Sequence, residues 1–224
     1  MSTLKAQFVF GKKYNKDYSG FGNQLLINGA SPINHFKPYK YFASSFVNNG
    51  YFYIANASNF NVLTGESFTA VLFVKAYNMS TDRIFSIISS SRTNGLELFS
   101  NGSNGLSIFI NTATSGSISL ANFVPSNTLT DKITKITLRF DYGNFIKIYL
   151  DDVLINTSTA VTTITGDLFN NQKLWIGNGF NGLLPFSGII SDLIFFNGLV
   201  SESDCNNIKS LSKKSCIAFS ESSL

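Results

Sequence analysis

Apolar and polar residues alternate with a period of two along most of this chain. The clearest runs are 68–75 (FTAVLFVK), 83–88 (RIFSII), 105–110 (GLSIFI), 133–140 (ITKITLRF) and 145–150 (FIKIYL). Such alternation marks half-buried strands, because successive side chains point to opposite faces of a sheet. In 145–150, Phe145, Lys147 and Tyr149 share one face, and Ile146, Ile148 and Leu150 share the other. Weaker runs at 6–10, 24–28, 41–47, 51–55, 96–99, 173–177 and 189–196 predict further strands. Eight Asn-Gly pairs, Asn49-Gly50, Asn94-Gly95 and Asn197-Gly198 among them, sit between the runs. Both residue types tolerate the positive φ that tight hairpin turns demand. One helix is predicted, late in the chain. Ser201 is its N-cap, Glu202 and Asp204 suit its positive end, and Ile208 and Leu211 form its apolar stripe. A lone helix of about ten residues is unstable in water, so it must brace the sheets.

Composition narrows the class. Of 224 residues 44% are hydrophobic and 13% charged, against about 25% charged in an average soluble domain. No window approaches the ~20 continuous apolar residues of a spanning helix, and 22 Phe with 9 Tyr oppose the disorder signature. No repeat, charge block or linker divides the chain, so one domain is expected.

The net charge of +4 is unevenly placed: residues 1–40 hold six lysines and one acid, for +5. Lys5, Lys12, Lys13 and Lys16, interleaved with Tyr14 and Tyr18, are candidates for docking onto a protein partner; a solvated edge is the alternative. Nucleic acid and membrane insertion are not expected. On this reading residues 1–40 are a basic aromatic segment packed as an arm or edge strands on a 41–224 sandwich, and removing residues 1–20 leaves that sandwich folded. The first eleven residues lack the apolar core and cleavage site of a signal peptide. Synthesis in a cytoplasm is therefore expected, with Cys205 and Cys216 reduced; a local disulfide is the alternative if the protein matures outside.

Three ordered stretches carry a resemblance. Residues 68–75 end a strand on Phe73 and Lys75; residues 136–155 (ITLRFDYGNFIKIYLDDVLI) form a hairpin turning at Asp141-Tyr142-Gly143-Asn144; and Leu174-Trp175-Ile176-Gly177 is followed by 186–200 (FSGIISDLIFFNGLV) and Ser201. Together they resemble the laminin G-like and pentraxin-like members of the concanavalin A-like jelly-roll superfamily. Asp192 falls on that pattern's acidic position, while Asp152 stands where Gly is usual. The resemblance implies an all-β, antiparallel two-sheet jelly-roll sandwich with one short C-terminal helix. Fold alone does not assign function, because this sandwich carries lectins, adhesion modules, enzymes and structural proteins.

Catalytic chemistry is not expected. Retaining glycoside hydrolases need two carboxylates about 5–5.5 Å apart, and the four glutamates, Glu66, Glu97, Glu202 and Glu221, are far apart in sequence. His35 is the single histidine and no serine lies in a nucleophile elbow. Residues 177–182 spell GxGxxG, but Leu183-Leu184-Pro185 follows where a dinucleotide site needs a helix, so this is a glycine loop between strands. Calcium is the one cation the resemblance raises, with Asp151 and Asp152 as weak candidate ligands.

Two non-catalytic roles follow. The first is a structural or decoration module of a larger assembly, a phage virion above all, reaching the outside by lysis and docking through protein contacts. The second is a lectin-like adhesion module for a cell-surface glycan. Its candidate contacts are Tyr142, Phe145, Trp175, Asn178, Phe180 and Asn181. Trp175 lies in a strand, where a core position is the competing assignment.

Overall fold

The alternating runs become two antiparallel sheets packed face to face. In a computed structural model, residues 2–9, 17, 19–28, 31–36, 41–46, 51–54, 57–77, 82–89, 91, 93–100, 105–112, 114, 116–120, 128–130, 132–170, 172–179 and 184–210 are described. Of the sequence candidates, Lys12, Lys13, Tyr14, Lys16, Tyr18, Phe180, Asn181, Leu211, Cys216 and Glu221 lie outside these residues.

The described strands are β1 (Thr3–Val9), β2 (Leu26–Asn28), β3 (Ser31–Phe36), β4 (Tyr41–Phe46), β5 (Tyr51–Ile54), β6 (Phe68–Ala76), β7 (Arg83–Ile88) and β8 (Gly95–Ser100). They continue with β9 (Leu106–Thr112), β10 (Gly116–Leu120), β11 (Thr134–Asp141), β12 (Phe145–Leu150), β13 (Val153–Ser158), β14 (Leu174–Ile176) and β15 (Gly188–Asn197), before helix α1 (Glu202–Asn207). One sheet has the order β13-β12-β11-β6-β15-β4-β3, with β1 also paired to β15; the other runs β10-β9-β8-β7-β14-β5-β2. Thus β15 pairs along its whole length with β6. On its other side it pairs with β4 through Gly188–Ile190 and with β1 through Asp192–Asn197.

Residues on the facing sides fill one apolar core. Phe68 stands at its centre, with ring centroids 5.3 Å from Phe140, 5.4 Å from Phe195 and 5.5 Å from Phe169. Rings at these spacings add attraction beyond the area they bury. The Asn94-Gly95 pair shows why glycine ends such turns. Gly95 has φ +136°, and a Cβ there would stand 2.2 Å from the Ile87 carbonyl oxygen.

Within the N-terminal segment, β1 contributes to the core. Ala6 and Phe8 on β1 are fully buried in the core. Residues 19–23 are tied to β1 by Asp17, whose carboxylate accepts the backbone N–H groups of Gln7, Ser19 and Asn23 and the side chains of Ser19 and Asn23. Lysine spacing by itself carries no information about the apolar face of a strand.

The terminal helix forms where its cap predicts, with Ser201 Oγ accepting the Asp204 N–H at 3.1 Å. It is shorter than expected. Ile208 is already extended and packs against Val71, Phe73 and Ile194 on the outer face of the eight-stranded sheet. Cations of β11 and β12 hold the segment down. Arg139 donates to the Val200 carbonyl at 2.9 Å and to Glu202 at 2.8 Å, and Lys147 reaches Glu202 at 3.0 Å. Hydrogen bonding from the Tyr149 hydroxyl and from Lys147 lowers the Glu202 carboxyl from 4.5 to about 2. A depressed folded-state value contributes stability above the unfolded value and loses it as pH falls. The latch should therefore weaken between about pH 4.5 and about pH 2. Thermal melts across that window should show a shallower decline for Glu202→Gln than for the parent, and a small one, because the pair is half exposed and screened. Identical pH profiles would remove Glu202 from the latch.

Candidate functional site

Strict alternation in two short strands builds an aromatic cluster on the outer face of the seven-stranded sheet. Phe52 and Ile54 of β5, and Leu174 and Ile176 of β14, turn into the core. Tyr51, Tyr53 and Trp175 must then project the other way. The register sets Trp175 opposite Tyr53. Their rings stack at 5.6 Å and 25°, and Tyr51 meets Trp175 at 5.5 Å and 59°. The Lys173 ammonium lies 5.8 Å from the Trp175 ring centroid, within cation–π range. Trp175 is 6% exposed while Tyr51 and Tyr53 are half-buried. The tyrosines are the reachable rings, and the tryptophan is their backing.

The same row continues across the sheet. Leu26 of β2 lies opposite Tyr53, Ser86 of β7 opposite Trp175, Glu97 of β8 opposite Ser86, and Phe109 of β9 opposite Glu97. Ser86 and Glu97 are buried. Glu97 faces Arg83 at 3.2 Å, and the Arg83 guanidinium lies 4.1 Å from the Phe99 ring centroid. Ser86 and Glu97 close the middle of the row, and the half-buried aromatic rings cluster at its β2–β5–β14 end, with Phe109 half-buried alone at the other.

The four described glycan candidates do not converge. Trp175 lies on β14 of the seven-stranded sheet and Asn178 just beyond its end, while Tyr142 and Phe145 belong to the β11–β12 hairpin of the other sheet. Tyr142 is a tether. Its hydroxyl donates to the Gly166 carbonyl at 2.8 Å and its ring meets Phe140 edge-on. Phe145 lies on the outer face beside Lys147, whose ammonium is 5.1 Å from its ring. Asn178 is fully buried and its Oδ1 accepts the Gly179 N–H. Sequence reasoning missed Tyr51, Tyr53 and Lys173. The aromatic–apolar alternation of 51–54 was their only signal.

Asp151 and Asp152 form the tight β12–β13 turn with φ of 47° and 71°. Each carboxylate holds a lysine, Asp151 with Lys132 at 2.5 Å and Asp152 with Lys135 at 2.6 Å. A cation binding there would have to displace both ammonium groups. Among the described residues no three His, Cys, Asp or Glu side chains are grouped to hold a metal ion. The described glutamates also have structural partners: Glu66 accepts the Leu63 N–H, Glu97 faces Arg83, and Glu202 holds Arg139 and Lys147. Gly177 is tied to β7 through its N–H and to Phe186 through its carbonyl. The chain leaves the seven-stranded sheet at β14, and its next described strand is β15 of the eight-stranded sheet, with no described helix between them. Lys5, the described docking candidate, lies on β1 with its ammonium 4.8 Å from the Phe21 ring centroid.

Residues 47–205 match the family model described as the concanavalin A-like lectin/glucanases superfamily. No curated protein matches the chain by sequence. Among solved structures, domain 4 of the extracellular GH43 arabinanase AbnA from Geobacillus stearothermophilus, in complex with arabinotriose, is similar at TM-score 0.70 and 16% identity. That match covers 92% of this chain and 98% of that one. The binding domain of Paraclostridial Mosquitocidal Protein 1 (TM-score 0.71, 14% identity) is covered over 51% of its length and 92% of this chain. The botulinum neurotoxin serotype D binding domain (TM-score 0.72, 14% identity) is covered over 50% and 92% respectively. The chain thus spans about half the length of these two toxin domains.

Proposed function

We propose a glycan-binding role for this chain, which belongs to the concanavalin A-like lectin/glucanase superfamily. The module is non-catalytic and presents Tyr51 and Tyr53, backed by Trp175, as a stacking platform on the outer face of the seven-stranded sheet. That cluster is the observation that carries the reading. Sugar rings present apolar C–H faces that suit such a surface, and Lys173 beside it supplies a donor for hydroxyl oxygens. The arabinotriose complex of a domain that this chain matches almost end to end supports the choice. Calcium plays no part in this platform.

A glycan array probed with multivalently displayed protein, with and without calcium, tests it. Avidity raises weak single-site binding to a readable signal. The expected result is a calcium-independent signal, with arabinotriose and N-acetylneuraminic acid among the probes. In Tyr53→Ala affinity should fall about tenfold, or about 1.4 kcal/mol, with an unchanged circular dichroism spectrum. An array silent at high valency overturns the reading. Capture by purified virions instead of glycans would favour the alternative, a docking role in a larger assembly. That role rests on the basic N-terminal segment, whose β1 backbone is committed to β15.

A further inference from the structure

Beside the platform, at the edge of the seven-stranded sheet formed by β2, a cleft of about 290 Å³ opens between the 22–26 segment and residues 58–59. Leu26 lines it and also lies opposite Tyr53, so cleft and aromatic cluster adjoin. Its polar lining comes from Asn23, Gln24, Ser58 and Asn59, and among the described residues no charged side chain contributes.

A chain of hydrogen bonds arranges those amides. Asn23 Nδ2 donates to Asp17 at 2.7 Å and to the Lys5 carbonyl at 2.9 Å, which uses both of its hydrogens. Its Oδ1 accepts from Asn59 Nδ2 at 2.9 Å. With Asn23 locked, the Asn59 amide has one orientation, its Nδ2 toward Asn23 and its Oδ1 and remaining N–H left over. Gln24 is exposed and adds a second amide. Asp17 itself, 9% exposed and accepting five hydrogen bonds, has its oxygens occupied by those donors. A cleft whose Asn59 and Gln24 amides each offer a donor and an acceptor matches neighbouring hydroxyl groups, and its described lining gives an anionic group no counter-charge. Its volume falls at the small end of ligand pockets.

We propose that this cleft is a second subsite, taking one neutral sugar unit of an oligosaccharide whose adjoining unit stacks on Tyr53. The inference rests on the glycan reading above and adds the ligand class, a neutral chain of at least two units, together with the residues that select it, Asn59 and Gln24.

Titration calorimetry on the full chain tests this with arabinotriose, xylotriose, cellotriose and mannotriose, their monosaccharides, and N-acetylneuraminic acid as probes. At least one neutral trisaccharide should bind about tenfold or more tighter than its monosaccharide. That gain should vanish in Asn59→Ala and shrink in Gln24→Ala, with monosaccharide binding unchanged. On titration the side-chain amide NMR signals of Asn59 and Gln24 should shift. A trisaccharide that loses affinity in Tyr53→Ala but not in either amide variant overturns the subsite and leaves the platform standing. Stronger binding of N-acetylneuraminic acid than of every neutral sugar overturns the neutral class. Should no probe bind, subsite and platform fall together. Gln24→Ala changes an exposed side chain, so the test survives any folding defect in Asn59→Ala.

Discussion

Removing residues 1–20 should leave a chain that no longer folds cooperatively. The deletion takes away β1, and with it the fully buried Phe8 and Ala6 and the partner of β15 from Asp192 to Asn197. Truncating a single core phenylalanine costs about 3–5 kcal/mol. Here an entire strand goes too, and β15 is left with a bare edge of the kind that recruits other chains. Against a typical stability of about 5–15 kcal/mol, most or all of the margin disappears. Urea unfolding of the truncated chain should show no cooperative transition, or a midpoint far below the parent's, and Phe8→Ala alone should lose about 3–5 kcal/mol. A truncated chain with the parent's midpoint would mean that the 41–224 sandwich folds without residues 1–20.

The second large effect concerns Glu97. Arg83 and Glu97 face each other at 3.2 Å with side chains 8% and 3% exposed. Replacing one partner of a buried pair leaves the other charge without its counter-ion, at a cost of about 3–5 kcal/mol. Glu97→Ala should therefore be about that much less stable in chemical denaturation. The double change Arg83→Met with Glu97→Leu should recover most of the loss, because apolar residues of similar volume often replace such pairs at little cost. Methionine would also keep contact with the Phe99 ring, now 4.1 Å from the guanidinium. A single variant within about 1 kcal/mol of the parent would mean that the pair is well hydrated despite its burial.

These two sites show where the amino-acid pattern was a good guide and where it was not. The central strands were legible because both of their neighbours constrain them. Runs 68–75, 83–88 and 145–150 reappear as β6, β7 and β12 within a residue or so. Strands β3, β10 and β13 left little trace, and all three are sheet edges. An edge strand pairs on one side only, so its sequence need not alternate cleanly. Ser31–Phe36 carries a proline, Gly116–Leu120 opens on glycine, and Val153–Ser158 exposes Val153, Leu154 and Ile155 together. The hairpin turn at Asp141–Asn144 and the Ser201 cap were readable for a different reason: their chemistry closes within a few residues.

By itself the sequence determined the fold class, the central strands, the late helix with its cap, and the scarcity of groups that catalysis needs. Those features arise from period, local capping and composition, all confined to short stretches of chain. Only the tertiary structure decided that Tyr51, Tyr53 and Trp175 share a face, that Tyr142 and Phe145 do not, and that Asp17 orders a cleft through Asn23 and Asn59. Each of these depends on which distant strands pair and in what register. Alternation places a side chain on one face or the other, but cannot name the neighbour across the sheet.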